Sequence, residues 1–161
     1  MPNIVWAHGL EGSPEGFKVR SVREAGLVAI APDGRGLVLA QRLPALQAAI
    51  ADNPGCVLAG SSYGGLASAY LASTGAAISG LLLMAPALHY SESPVQDAST
   101  LMVPTSVPCA IVHGRQDDVV PHQASQALAQ RCPHVALHLV DDDHRLTASM
   151  GLIVDLLRQL S

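Results

Sequence analysis

The stretch Val57-Leu58-Ala59-Gly60-Ser61-Ser62-Tyr63-Gly64-Gly65, continued as Leu66-Ala67-Ser68-Ala69-Tyr70-Leu71-Ala72, decides how the chain is read. An apolar run stops in a glycine–serine cluster and gives way to helix-forming residues, the pattern of a buried strand, a sharp turn and a helix. Within it Gly60-Ser61-Ser62-Tyr63-Gly64 matches Gly-x-Ser-x-Gly, the nucleophile elbow, in which a serine stands at the apex of a strained strand-to-helix turn. Glycines are needed there because side chains would collide with neighbouring backbone. The helix that follows points its first amides at an oxyanion forming beside Ser62, so the Tyr63 N–H is a candidate donor. Alone, the pentapeptide also fits a glycine-rich turn. The strand before it and the helix after it favour the nucleophile.

Working outward, apolar runs bounded by turn residues recur at Asn3–Ala7, Leu27–Ala31, Cys56–Ala59, Gly80–Met84, Cys109–Val112 and Val135–Val140. Between them lie helix-compatible segments over Glu15–Ala25, Val38–Asp52, Tyr63–Ser73, His122–Arg131 and Thr147–Leu160. This alternation predicts an α/β fold, a mostly parallel six-stranded sheet with helices on both faces, in one domain over 1–161. In the last helix Leu146, Met150, Ile153, Leu157 and Leu160 form one apolar stripe against the sheet. Pro44 requires the second helix either to begin near Leu43 or to bend there. The segment from Tyr90 to Thr105, with Pro94 and Pro104, is the one long irregular connection and is placed to border an active site.

Composition narrows the classes of function. With 161 residues, 49% apolar and 14% charged, the chain can bury a sizeable core. It carries a formal charge of −4, a single lysine at Lys18 and no basic cluster, so a nucleic-acid partner is not expected. The longest strongly apolar stretch, Ala76 to Leu88, is broken by Ser79, Gly80 and Pro86 and is too short to span a bilayer, so no membrane association is expected. No secretory signal precedes Ile4-Val5-Trp6-Ala7, and Cys56, Cys109 and Cys132 have no metal-like spacing, so buried free thiols and a cytoplasmic location are the expectation.

A serine nucleophile needs a base to take its proton and a carboxylate to orient that base. The first candidate acid is Asp117 in His113-Gly114-Arg115-Gln116-Asp117-Asp118-Val119-Val120-Pro121, just after a strand. The candidate base is His144 in Asp141-Asp142-Asp143-His144-Arg145-Leu146, just after the next. Each also fits a plainer role, adjacent aspartates as turn or cap residues and His144 as the end of a solvated acidic turn. The order serine, acid, histidine, each following a different strand at the ligand-binding edge of an open sheet, favours the catalytic one. A fourth element, Trp6-Ala7-His8-Gly9-Leu10, runs a strand into a glycine loop that can supply the second oxyanion donor from the Leu10 N–H. His8 precedes the serine and fits a loop-bracing role. Leu88, His89, Val119 and Val120, also placed after strands, are candidates for the substrate-binding wall.

With these pieces in place the sequence resembles the α/β-hydrolase superfamily, and more closely the compact YqiA-like group of small bacterial esterases. The resemblance runs from His8-Gly9-Leu10-Glu11-Gly12-Ser13-Pro14 through Gly60-Ser61-Ser62-Tyr63-Gly64-Gly65 and Leu83-Met84-Ala85-Pro86-Ala87 to His113-Gly114-Arg115-Gln116-Asp117 and Asp143-His144-Arg145-Leu146. It implies Ser62 as nucleophile, Asp117 as acid, His144 as base and the Leu10 and Tyr63 amides as oxyanion hole. It further implies hydrolysis of a small-molecule acyl ester or thioester through an acyl-enzyme, with no metal and no organic cofactor. The chain departs from larger members by lacking the first hairpin and any cap insertion, so an open site and a small acyl pocket are expected. Two rival readings are a non-catalytic ligand-binding protein on the same fold and a metal hydrolase using His113, Asp117, His122 and His144. The metal reading lacks the helical His-x-x-x-His spacing that would unite its ligands. A haloalkane- or epoxide-type variant would want an aspartate where Ser62 stands.

Overall fold

In a computed structural model describing residues 1–161, the chain runs through Ile4–Ala7 (β1), Phe17–Glu24 (α1), Ala29–Ile30 (β2), Leu39–Asp52 (α2), Val57–Ser61 (β3) and Tyr63–Ser73 (α3). It continues through Gly80–Met84 (β4), Cys109–Gly114 (β5), His122–Arg131 (α4), Ala136–Val140 (β6) and Met150–Leu160 (α5). The strands form one sheet in the order β2-β1-β3-β4-β5-β6, and every pair is parallel. Because both faces are covered, the central strands are apolar along their whole length, and successive residues serve opposite faces. Val5, Leu58, Leu81, Leu83 and Ile111 face one core, under α2, α3 and α4. Ile4, Trp6, Ala59, Leu82, Met84 and Val112 face the other, under α1 and α5.

The strand order places the site. After β1 the chain goes to one side to form β2, then returns to the other side of β1 to form β3. The two connections leave β1 and β3 in opposite directions, opening a crevice at their carboxyl ends, the switch point where open α/β sheets take ligands. His8-Gly9-Leu10 and Ser62 are the first residues past those ends.

Three local features differ from the sequence expectation or refine it. α2 begins at Leu39 and carries Pro44 inside it, so it does not start at Leu43. The turn ahead of the proline is anchored from outside, since the Leu39 N–H donates to Glu92 Oε2 at 2.7 Å and the Val38 N–H to Gln41 Oε1 at 3.2 Å. The last helix opens as a tight 3₁₀ turn over Thr147–Ser149, and Leu146 lies before it at φ 56, buried but outside the helix. Residues 85–108, between β4 and β5, contain only a 3₁₀ turn, Ala98–Thr100, and cover the sheet with Val95, Ala98, Val103 and Val107 instead of a helix. Cys56, Cys109 and Cys132 are free and buried. No helix is long and apolar enough to cross a membrane.

Candidate active site

Ser62 sits between β3 and α3 at φ 55 and ψ −112, a conformation that costs a non-glycine residue on the order of 1–3 kcal/mol. Its backbone is fixed from three sides. The Ser62 N–H donates to Met84 O at 2.9 Å, and its carbonyl accepts from Leu66 at 3.1 Å and Ala87 at 2.9 Å. The flanking glycines are required for contact, because a Cβ on Gly60 would overlap the Gly64 carbonyl and Ser68 Oγ, and one on Gly64 would overlap the Ala7 carbonyl. The elbow is thus pressed against the end of β1. That contact brings the loop after β1 beside the serine.

Asp117 follows β5, and its side chain is fully buried. Oδ1 accepts from the Val119 and Val120 amides, both at 2.8 Å, while Oδ2 accepts from His144 Nδ1 at 2.7 Å. Burial of the carboxyl works against ionisation, but the Val120 amide, the His144 imidazole and the Val119 amide outweigh it and hold Asp117 below the usual aspartate value. An ionised Asp117 requires the proton on His144 Nδ1, which leaves the His144 Nε2 lone pair free. His144 is about a fifth exposed (22%) and follows β6. The two loops meet because Gly114, at the end of β5, lies against the Asp142 and Asp143 backbone with no room for a Cβ.

A second histidine supports the acid. His113 is fully buried, with Nδ1 2.7 Å from Ser125 Oγ and Nε2 3.0 Å from the Val120 carbonyl, which only an N–H can satisfy. Its Nε2 also lies 3.2 Å from Asp117 Oδ2. Burial first of all lowers its pKa, so the ring is a neutral donor beneath the carboxylate. The sequence offered His113 only as a metal ligand. The structure ties it into the support of Asp117, with the His122 ring edge-on at 6.3 Å between centroids, and no three His, Cys, Asp or Glu side chains are grouped as metal ligands.

On the other side of Ser62, neither the Leu10 nor the Tyr63 N–H donates to a carbonyl of the protein. Their surroundings are held by a buried cation. Arg42, 4% exposed, donates to the His8 carbonyl at 2.7 Å and the Gly9 carbonyl at 3.4 Å, and its guanidinium lies 4.7 Å from the Tyr63 ring centre. The Tyr63 hydroxyl donates to Glu92 Oε2 at 2.6 Å, and burial followed by this bond pushes the phenol up to about 12. The Tyr90 hydroxyl donates to Glu92 Oε1 at 3.0 Å. His8 accepts from the Gly34 N–H at Nε2, 2.9 Å away, so its proton is on Nδ1 and is directed to the Gly9 carbonyl at 2.8 Å. Arg42, Glu92 and Tyr90 were not singled out in the sequence. Nothing short-range marks them, because their partners lie far away in the chain.

A cleft of about 1090 Å³ joins these groups, lined by Leu10, Ser62, Tyr63, His89, Val119, Val120 and His144 among others. Asp117 lies beneath it, against His144. Leu88 does not line it: the side chain is 4% exposed and belongs to the core under α2 to α4, because the turn after β4 sends Ala87 and His89 toward the cleft and Leu88 inward. Residues of the loop after β1, from Gly9 to Gly16, and of the segment Gly36–Val38 also line the cleft. Ser62 and His144 share it, and no hydrogen bond joins the Ser62 hydroxyl to the imidazole.

The fold is shared with solved structures over nearly the whole chain. A protein from Xanthomonas campestris pv. campestris, assigned to the alpha/beta hydrolase superfamily, superposes with a TM-score of 0.81 at 28% identity, covering 99% of this chain and 98% of that one. This chain belongs to the α/β-hydrolase superfamily. Est1E from Butyrivibrio proteoclasticus, solved with ferulic acid bound, shares the α/β-hydrolase fold at a TM-score of 0.82 and 20% identity, over 99% of this chain and 87% of that one. A monoacylglycerol lipase from Paleococcus ferrophilus does so at 0.77 and 17%, over 98% and 94%. No protein-family model and no curated protein sequence matches.

Proposed function

We propose that this α/β hydrolase is a serine hydrolase of carboxylesterase type, cleaving small acyl esters or thioesters with Ser62, His144 and Asp117 as its triad. The observation that carries the reading is the 2.7 Å hydrogen bond from His144 Nδ1 to a buried, ionised Asp117, made beside the cleft that Ser62 enters at a strained turn. The likeness to solved lipases and related hydrolases supports an acyl ester as the substrate class. The narrower likeness to YqiA-like esterases rests on the sequence motifs.

In the proposed reaction His144 Nε2 takes the Ser62 hydroxyl proton as the oxygen attacks the acyl carbon. The carbonyl electron pair moves to oxygen, and the oxyanion is held by the Leu10 and Tyr63 N–H groups. His144 gives its proton to the departing alkoxide or thiolate as that bond breaks, leaving an acyl-Ser62. Water, deprotonated by His144, then repeats the sequence and releases the acid. Asp117 stays ionised throughout and stabilises the imidazolium. No metal or organic cofactor enters these steps. Bound substrate has to draw the Ser62 hydroxyl and His144 into contact, as substrates commonly do where free sites are loose.

Intact-mass analysis after treatment with a small fluorophosphonate tests this reading without knowledge of the natural substrate. One adduct is expected on the folded protein, and none on Ser62→Ala or on heat-unfolded protein. The missing Ser62–His144 hydrogen bond favours a second reading, a ligand-binding protein with an idle triad. Absence of any adduct together with no hydrolysis of activated esters would establish that reading in place of the first.

A further inference from the structure

Building on the serine-hydrolase reading, the two ends of the cleft differ in charge. Over the α2 and α3 face lie Glu92, Tyr90 and Tyr63, an end whose carboxylate is already committed to Tyr63, Tyr90 and the Leu39 amide. Toward the α1 and α5 face the cleft is lined by Lys18 and by the exposed Arg145, next to His144 in the chain, and the two charges are close enough to repel each other.

Lys18 is the only lysine of the chain. It is half-buried at the cleft, yet its ammonium is in none of the ion pairs of the structure, and neither is the Arg145 guanidinium. The nearby carboxylates are engaged within their own loop: Asp142 accepts from the Asp143 amide and Ser149 Oγ, both at 2.8 Å, and Asp143 from the Arg145 amide at 2.9 Å. Glu11, also on the cleft, is exposed at its rim. Burial, and then the Arg145 charge, lower the Lys18 pKa, while Asp142 and Asp143 offset only part of this.

Its position on the helix is unfavourable as well. Lys18 is the second residue of α1, where the helix dipole is positive, the first turn has no acidic residue, and Gly16 provides no side-chain cap. The Phe17, Lys18 and Val19 amides find no acceptor in the protein, and all three residues line the cleft. Two unpaired cations and three unpaired amides therefore surround one end of the cavity that holds Ser62. A half-buried lysine placed against the dipole and left without an anion is an expense in folding that an anionic ligand would repay.

We infer that the Lys18–Arg145 end is a subsite for an anionic group, a carboxylate or phosphate, carried by the substrate beside the bond that is cleaved. The natural substrate is then an anionic ester or thioester.

The test compares three esters: neutral 4-nitrophenyl butyrate, mono-4-nitrophenyl glutarate with its carboxylate on the acyl side, and 3-carboxy-4-nitrophenyl butyrate with it on the leaving group. The quantity read is kcat/KM for each anionic ester divided by that for the neutral one. For whichever anionic ester reaches the subsite, that ratio should fall roughly tenfold or more from wild type to Lys18→Met/Arg145→Gln, mainly through KM, because a charge-assisted hydrogen bond is of that size. It should also shrink as salt is raised. The responding ester tells which side of the substrate carries the charge. Ratios unchanged by the double variant for both anionic esters would overturn the subsite while leaving the hydrolase reading intact. If no ester is cleaved and the fluorophosphonate leaves no adduct, the hydrolase reading fails; whenever no ester is cleaved, the subsite is read from thermal unfolding: glutarate or inorganic phosphate should raise Tm of the wild type but not of the double variant. No such shift would overturn the subsite too.

Discussion

The two halves of the candidate site are held in different ways. The acid–base half, over β5 and β6, is organised by short-range chemistry: Asp117 accepts from amides two and three residues ahead and lies against the histidine four residues behind. The Asp117 side chain makes one long-range tie, to His144, 27 residues on, and the backbone adds two, from the Arg115 amide to Val140 and from the Gln116 amide to Asp142. The oxyanion half, over β1 and β3, is held across the fold: Arg42 reaches the His8 carbonyl over 34 residues, Glu92 reaches Tyr63 over 29 and Leu39 over 53. A turn that closes on itself can lose a chemical group and keep its shape. A junction built around a buried guanidinium loses chemistry and packing together.

The largest expected effect is in the first half. Asp117→Asn should lower kcat by about 10³–10⁴-fold, because an amide cannot hold His144 in the tautomer with a free Nε2. The Val119 and Val120 amides can still bond the remaining oxygen, so the fold should persist, as circular dichroism would report. Asp118→Asn should stay within a few-fold, since Asp118 is exposed and its side chain makes no hydrogen bond. The reverse ranking would move the acid by one residue.

In the second half, Arg42→Gln should lower kcat roughly 10–100-fold, less than the 10²–10³ for outright loss of an oxyanion donor, because the Leu10 and Tyr63 amides remain but lose their supports. Unlike Asp117→Asn it should also destabilise the protein, by about 2–3 kcal/mol, since the buried His8 carbonyl is left without a donor, while the Gly9 carbonyl keeps those from His8 Nδ1 and the Gly12 amide. Arg42→Lys, able to keep one of those bonds, should fall between. A variant that is destabilised but has an unchanged kcat and an unchanged rate of fluorophosphonate labelling would make Arg42 a packing residue only, and the two halves would no longer differ as argued.

The same division explains what the sequence made legible. The elbow, the aspartate after β5 and the histidine after β6 each announce themselves within a few residues, because strand, turn chemistry and residue type coincide there. The strands were legible for the same reason, down to Gly80–Met84, which the sequence and the structure bound identically. Arg42 gave no such signal. In sequence it is one polar residue in an amphipathic helix, and only the crossover of α2 beneath the loop after β1 turns it inward. Glu92 lies in a stretch without periodicity, and its role depends on where the 85–108 connection runs. Leu88 lies in the core and not on the wall, because position after a strand fixes a residue's height on the sheet and not the direction of its side chain.

Glu92→Gln sharpens the comparison with a smaller effect. An amide keeps the bond from Tyr63 but binds the Leu39 amide and faces Arg42 without charge, so kcat should fall a few-fold and stability by about 1 kcal/mol. Burial works to raise the Glu92 pKa, but the bonds from Tyr63, Leu39 and Tyr90, with the Arg42 charge, outweigh it and lower it. The stabilisation is therefore present above the ordinary glutamate range, near ~4.3, and is lost as pH falls through the lower folded value. Wild type and Glu92→Gln should converge in urea midpoint at that acidic end. A constant gap across pH would mean that charge is not what Glu92 contributes.

The smallest effect distinguishes the halves by their buried histidines, His8 in one and His113 in the other. Both have lowered pKa values, with burial the leading cause, so below about pH 6.5 the unfolded chain takes up protons that the folded chain resists. Stability is full above that value and declines as pH falls, by at most about 1.4 kcal/mol per pH unit for each group. The two rings should not share the decline equally. A protonated His113 keeps its Nε2 donation, can turn Nδ1 toward Ser125 as a donor and gains Asp117 at 3.2 Å, whereas a protonated His8 sets N–H against the Gly34 N–H, with Arg42 and Arg35 nearby and only the exposed Asp33, 4.0 Å away, to compensate. His8→Gln, which can still accept from Gly34 but does not titrate, should therefore flatten the acid limb of the stability profile more than His113→Gln does. Equal flattening would mean that the Asp117 carboxylate gives His113 no advantage over a histidine facing two arginines.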